Sequence, residues 1–332
     1  MGATVVYVHG NGNKVREELL KSQWDRALFG TDMGSASRMA YWAPVRYPDP
    51  LPDRQDDRTE DDPTEDDPTE DDPTEGGPGG IEELPGPGAQ APPEEFVAQV
   101  LAEARREAAA SAGTEKGAAR DPAAEERLAG WLRDMAWFAD TLVGDDLSAG
   151  SGASDTPRVL PLPGFARKQA FRLLVERTYK DVHAYFFGGA GPAMREVVRA
   201  ALPASGNGPL VVVAHSLGSI VAYEVLREEQ RPVDLLVTVG CPLAIREVQD
   251  VLALPPAVPG GTSVWHNASD LRDLVALDHT LRPEYAPVDL VTDHLVTNSS
   301  ANHHGIREYL AAGPVRDPVR ALFGRLATEQ TR

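Results

Sequence analysis

One stretch constrains the fold more than any other part of this 332-residue chain. Residues 210–219 read LVVVAHSLGS, an apolar β-branched run that ends at a serine between small residues and continues as a helical pattern. A continuous apolar run of this length predicts a strand buried on both faces, as in a parallel sheet. Small residues beside the serine allow a strand and the following helix to pass close together. The stretch therefore predicts a strand, a sharp turn at Ser216 and a helix.

A serine at such a turn has a specific chemical use. In a nucleophile elbow, usually Gly-x-Ser-x-Gly, the strained backbone exposes the serine hydroxyl and aims the next backbone N–H, here that of Leu217, at a developing oxyanion. Ala214 departs from the pattern by one methyl group. The motif alone is equally consistent with a serine that only occupies a tight turn.

Strand and helix patterns alternate along the chain, which predicts an α/β fold with a mostly parallel central sheet flanked by helices. The strand patterns cover residues 4–8, 210–214, 234–239, 262–267 and 289–298. The helical patterns cover residues 15–28, 94–111, 122–143, 167–187, 191–202, 215–229, 243–252, 306–310 and 318–328.

An acidic repeat interrupts this alternation. Three copies of Thr-Glu-Asp-Asp-Pro begin at Thr59, a composition that cannot bury a core and predicts disorder. We therefore expect four regions. They are the start of the α/β core (1–47), a disordered acidic Pro-rich insertion (48–93), a helical cap or insertion (94–190) and the remainder of the core (191–332).

Composition excludes several classes of partner. The net charge of −19 disfavours nucleic acid and anionic membranes, and no apolar run is long enough for stable membrane insertion. The amino terminus has no signal-peptide pattern, and a single cysteine, Cys241, cannot form an intramolecular disulfide. We expect a cytoplasmic protein in which Cys241 is a small buried residue.

A nucleophilic serine needs a histidine to take its proton and an acid to orient that histidine. Asp270 and Asp273 follow the predicted strand at 262–267, and His303 and His304 precede a short helix. The order Ser, Asp, His is that of α/β-hydrolases. Within each pair the residues alone leave the choice open, since an aspartate can also cap a helix and adjacent histidines point in different directions.

The chain resembles α/β-hydrolases of the lipase or esterase type, in particular class 3 lipases and GPI-inositol-deacylase-like proteins. The residues that carry the resemblance are Val8-His9-Gly10, the Ala-His-Ser-Leu-Gly elbow, Val239-Gly240-Cys241-Pro242-Leu243, Asp273-Leu274-Val275-Ala276, and the histidine pair followed by Tyr309-Leu310. The resemblance implies a serine esterase with nucleophile Ser216, acid Asp273 and base His304. Leu274 stands where a proline is common in the family.

The loop after the first strand, His9-Gly10-Asn11-Gly12, is expected to offer the Asn11 backbone amide, which completes an oxyanion hole with Leu217. His9 is expected to support this loop. A phosphate-binding loop is disfavoured because no Gly-Lys-Ser/Thr follows.

We expect no cofactor and no metal, because the pairs Asp278-His279, Asp293-His294 and His303-His304 lack regular ligand spacing. His183, His266, His279 and His294 are interpreted as isolated surface or core residues. The expected substrate is a small-molecule or lipid-like ester or thioester. Trp131 and Phe138, on one helical face, could contact an acyl chain or simply pack on the core. Two other functions stay open: a catalytically silent α/β-hydrolase-fold binding protein, and an interaction protein acting through its acidic repeat.

Overall fold

The computed structural model describes residues 2–53, 91–111, 121–149, 164–204 and 208–329. The acidic repeat and most of the predicted insertion at 48–93 lie outside the described residues, so the expected disorder there stays a prediction. The four proposed regions also stay a prediction.

A parallel sheet of six strands forms the centre of the fold, which confirms the α/β class. The strand order is β2-β1-β3-β4-β5-β6, and each neighbouring pair is parallel. The strands are β1 (Thr4–Val8), β2 (Ser37–Ala40), β3 (Leu210–His215), β4 (Leu235–Val239), β5 (Trp265–Ser269) and β6 (Val291–Leu295). Every residue of β3 is buried, as expected for a strand covered on both faces.

Helices cover both faces of the sheet, and alternate strand residues pack against each layer. The helices are α1 (Glu17–Phe29), α2 (Pro93–Ser111), α3 (Pro122–Ala149), α4 (Gly164–Phe187), α5 (Gly191–Ala201), α6 (Leu217–Glu229), α7 (Arg246–Gln249), α8 (Ile306–Ala311) and α9 (Gly313–Glu329). Val6 and Val212 belong to the core shared with α2 to α6, whereas Val5 and Val211 belong to the core shared with α1, α8 and α9.

The predicted apolar face of α3 is part of this core. Trp131 is fully buried there, and Phe138 is partly buried against the same cluster. Helices α2, α3 and α4 pack against one another, and α4 also contacts α6 beside the central strand β3. We call α2, α3 and α4 the helical group.

Two local predictions were wrong. No strand was expected at Ser37–Ala40, because Ser-Arg-Met-Ala has no apolar run; it forms β2, an edge strand on which Arg38 is exposed. A helix was expected over 243–252, but Pro242–Ala244 forms a 3₁₀ turn and α7 is a single turn. The 3₁₀ turn takes up the start of the predicted span, and α7 covers only Arg246–Gln249 of the rest.

In the part of the chain that the structure describes, no helix is both long and apolar enough to cross a membrane.

Candidate functional site

Ser216 lies at the turn between β3 and α6 with backbone angles of φ 51° and ψ −129°. A positive φ is costly for a residue with a side chain and persists only where the surrounding structure enforces it. Here the Ser216 N–H donates to the Val239 carbonyl at 3.1 Å. A side chain at Gly218 would overlap the carbonyl oxygens of Val8 and His9, so this position accepts only glycine. The methyl group of Ala214 is accommodated inside the fully buried strand β3.

The loop after β1 reaches Ser216 directly. The Ser216 hydroxyl donates to Asn11 Oδ1 at 2.8 Å, and a side chain at Gly10 would come within 2.8 Å of Ser216 Cβ. Asn11 is therefore next to the serine. The contact is made by its side chain, and the expected oxyanion role of its backbone amide stays a prediction.

His9 supports this loop, as expected. Its Nδ1 bonds the Gly10 carbonyl at 2.9 Å, and its Nε2 accepts from the backbone N–H groups of Trp42 and Ala43. The Trp42 indole stacks on the imidazole and donates to the His9 carbonyl. The imidazole thus joins the first loop to the residues that follow β2.

Asp273 and His304 form a buried pair at the same edge of the sheet. The His304 Nδ1–H donates to the two Asp273 carboxylate oxygens at 2.9 and 2.8 Å. The other ring nitrogen, His304 Nε2, is buried and has no hydrogen-bond partner among the described residues. The Nδ1–H tautomer leaves a lone pair on Nε2, so this atom can accept a proton.

Two contacts bring the pair close to the serine turn. The His215 Nε2–H, one residue before Ser216, donates to the His304 carbonyl at 3.0 Å, and the two imidazole rings lie 4.4 Å apart. A side chain at Gly240, which follows β4, would lie within 2.8 Å of His304 Nδ1 and 2.9 Å of Asp273 Oδ2. Because β4 pairs with β3, this contact puts the pair beside the turn.

Asp273 is held as a carboxylate. Burial alone raises the pKa of its carboxyl, but the charge and hydrogen bond of His304, the Tyr309 hydroxyl and the Val275 N–H outweigh burial, so this pKa is lowered. The Tyr309 hydroxyl donates at 2.6 Å, and the backbone N–H groups of Val275 and Ala276 donate at 2.9 and 3.3 Å. An ionised Asp273 stabilises a protonated His304.

Asp270 and His303, the sequence neighbours that could have replaced Asp273 and His304, have other partners. Asp270 accepts backbone N–H groups from Arg272 at 2.8 Å and Asn298 at 2.6 Å, so its carboxylate organises two loops. His303 has a positive φ of 58°, and its Nδ1 bonds the Asn298 carbonyl. Neither residue is in the pair that adjoins Ser216.

Sequence reasoning missed the residues that hold these groups in place. Tyr309 bonds Asp273, and Asn302 Oδ1 accepts the His304 N–H at 3.0 Å. The Ser300 hydroxyl accepts the Gly305 N–H at 2.9 Å. The signal was the run of short polar residues at 297–302, which often bond neighbouring backbone groups in turns.

The four histidines interpreted as isolated surface or core residues each have a hydrogen-bond partner, so they are not isolated, and His183 is fully buried as a core residue would be. His183 Nε2 lies 2.7 Å from Glu125 Oε1, His266 Nδ1 lies 3.1 Å from His294 Nε2, and His279 Nδ1 lies 3.2 Å from the Ser269 hydroxyl.

Neither a metal site nor a second nucleophile emerges from the described residues. No group of three or more His, Cys, Asp or Glu side chains in them could hold a metal ion. Burial raises the pKa of the Cys241 thiol to about 12, so this group stays protonated at neutral pH.

Comparisons of the chain with protein-family models, with curated proteins and with solved structures give no match.

Proposed function

We propose that the protein is a serine hydrolase of the α/β-hydrolase type, which cleaves a carboxylic ester through an acyl-enzyme on Ser216. One observation carries the proposal. A histidine whose Nδ1–H is held by a buried carboxylate has its other nitrogen, Nε2, buried and unbonded among the described residues, and it adjoins a serine on a strained turn. Such an imidazole is prepared to take a serine proton.

The chemistry has two halves. The Ser216 oxygen attacks the ester carbonyl carbon while its proton passes to His304 Nε2, and the carbonyl oxygen takes the displaced electron pair. His304 then protonates the leaving alcohol as the carbon–oxygen bond breaks. Water hydrolyses the acyl-enzyme by the same two proton transfers. The backbone N–H groups of Leu217 and Asn11 would stabilise each tetrahedral oxyanion.

The Ser216 hydroxyl must first change its hydrogen bond. In the resting structure it donates to Asn11 Oδ1, so it has to rotate toward His304 Nε2 before attack. This same contact favours the second candidate, a catalytically silent binding protein of the same fold, in which the hydroxyl would stay on Asn11. The third candidate, an interaction protein acting through the acidic repeat, concerns residues outside the described ranges.

A fluorophosphonate probe distinguishes the first two candidates. It should label the parent protein and fail to label Ser216→Ala. Ser219→Ala is a matched control, because Ser219 is equally buried one turn further along α6 and its hydroxyl donates to the Ala214 carbonyl. We expect this variant to be labelled. An unlabelled folded parent, or labelling that survives in Ser216→Ala, would refute the proposal.

A further inference from the structure

The Asn11-bearing loop is held from two sides. On one side His9 joins it to the residues after β2. On the other side the Gly12 N–H donates at 2.7 Å to Oδ2 of Asp181, which belongs to α4 of the helical group and is separated from Gly12 by 169 residues of sequence. A carboxylate accepting a backbone N–H is a strong, charge-assisted hydrogen bond.

Asp181 is a fully buried charge whose partners are all in place. Besides Gly12, Arg46 Nε donates to it at 3.1 Å and the Tyr47 hydroxyl donates at 2.9 Å. Arg46 also pairs at 3.0 Å with Glu107 of α2. A buried carboxylate is tolerated only when it is paired and hydrogen-bonded in this way. Its three donors all come from segments that follow β1 and β2, so Asp181 connects the helical group to the carboxyl edge of the sheet.

The bond to Gly12 fixes more than one atom. The Gly12 N–H and the Asn11 carbonyl belong to the same rigid peptide plane, so holding this N–H sets the orientation of the Asn11 backbone. Asn11 is the residue whose side chain contacts the Ser216 hydroxyl. Gly12 itself has a φ of 80°, a conformation that glycine adopts at no steric cost and that needs an external contact to be selected over others.

We infer that Asp181 is a positioning residue, a buried carboxylate of the helical group that orients the Asn11 loop against Ser216. The catalytic part of this inference rests on the proposed function. A displacement of about 1 Å in a reacting group can cost about 100-fold in rate. Asp181→Asn keeps the size of the side chain but replaces one carboxylate oxygen by an NH₂ group. This group cannot accept from Gly12, Arg46 or Tyr47, which all donate to Asp181. We expect it to lower kcat by about 10- to 100-fold and to change KM by less than about threefold.

The matched control is Glu107→Gln. It removes a carboxylate that also pairs with Arg46, but the partners of Glu107, Arg46 and Lys180, both lie outside the loop. A purely structural effect of losing a buried or half-buried charge would lower the stability of both variants and leave kcat per folded molecule unchanged. If Asp181 positions the loop, kcat per folded molecule should fall in Asp181→Asn and stay at the parent value in Glu107→Gln.

Backbone hydrogen exchange tests the inference without relying on activity. Asp181→Asn should accelerate exchange of residues 9–13 by at least about tenfold, whereas Glu107→Gln should leave it unchanged. Unchanged exchange in folded Asp181→Asn would overturn the inference even if the parent is active. Faster exchange with an unaltered kcat would overturn its catalytic part. A parent that no fluorophosphonate labels would refute the proposed function. The exchange result would then still decide whether Asp181 orients the Asn11 loop.

A milder variant covers the case in which Asp181→Asn does not fold. Tyr47→Phe removes one donor to Asp181 and keeps the ring. It should accelerate backbone exchange of residues 9–13 by a smaller factor than Asp181→Asn does. An unchanged exchange rate in this variant would count against the inference.

Discussion

Replacing Asp273 by Asn exchanges a carboxylate oxygen for an amide donor at a position where four donors converge. These donors are the His304 Nδ1–H, the Tyr309 hydroxyl and the backbone N–H groups of Val275 and Ala276. The single oxygen of the new amide cannot accept from all of them. If its NH₂ group faces His304, the imidazole moves its proton from Nδ1 to Nε2, and Nε2 can then no longer accept the Ser216 proton.

The size of the loss follows from this change of tautomer. Fixing the wrong tautomer in a serine hydrolase costs about 10³- to 10⁴-fold in kcat, which is about 4 to 5.5 kcal/mol at about 1.36 kcal/mol per decade. Asp270→Asn removes the same charge from a buried aspartate three residues earlier. Its carboxylate accepts two backbone N–H groups, of which the amide oxygen can keep one, and it pairs at 3.7 Å with the half-exposed guanidinium of Arg272. We expect it to lose about 1 kcal/mol of unfolding free energy and less than about tenfold in kcat.

The assay is the initial rate of hydrolysis of a short p-nitrophenyl ester, expressed per folded molecule after thermal unfolding of each variant. Asp273→Asn should fall close to the rate of Ser216→Ala, and Asp270→Asn should stay within about tenfold of the parent. An equal loss in both variants would refute the tautomer argument. A larger loss in Asp270→Asn would assign the acid to Asp270.

Two further predictions concern stability. Gly218→Ala should lower the unfolding free energy in urea by about 3 kcal/mol or more, because its methyl group would meet the carbonyl oxygens of Val8 and His9. Gly324→Ala in α9 should instead raise it by up to about 1 kcal/mol, because an added Cβ there meets no described atom within 4 Å outside its own stretch of helix; similar values for the two variants would contradict the close approach at Gly218. Tyr309→Phe should cost about 1.5 to 3 kcal/mol at neutral pH. The pKa of Asp273 lies below its ordinary value of 3.8 in the folded protein, so the stability it contributes is present above about pH 4 and is lost as the pH falls through the folded pKa. Without the Tyr309 hydroxyl the pKa of Asp273 is lowered less, so the urea midpoints of parent and Tyr309→Phe should converge toward low pH. A difference between the two midpoints that stays constant with pH would show that Tyr309 does not stabilise the Asp273 carboxylate.

The central strands β1, β3 and β4 could be predicted from the sequence because they are apolar runs. The patterns at 4–8 and 210–214 correspond to β1 and β3, and the turn at Ser216 follows from the small residues around it. The edge strand β2 could not be predicted this way, because a strand with one neighbour needs no continuous apolar run.

The site was predictable only as a set of candidates. Residue order and resemblance indicated Asp273 and His304, but neighbours in a loop can be told apart only by their tertiary partners. The Tyr309 hydroxyl donates to the carboxylate of Asp273 but accepts only the backbone N–H of Asp270, and Asn302 and His215 hold the backbone of His304. Contacts between distant segments, such as Asp181 with Gly12, leave no local pattern at all.

The complete burial of the Ser216 side chain has a kinetic consequence. No reagent can reach a hydroxyl with no exposed surface until neighbouring atoms move aside, so every modification of Ser216 has to follow an opening step. At low probe concentration the labelling rate should rise in proportion to concentration. At high concentration it should level off at the opening rate, and the plateau should be the same for probes of different intrinsic reactivity. The plateau rate of Ser216 labelling would then measure how often the residues that cover this side chain move aside.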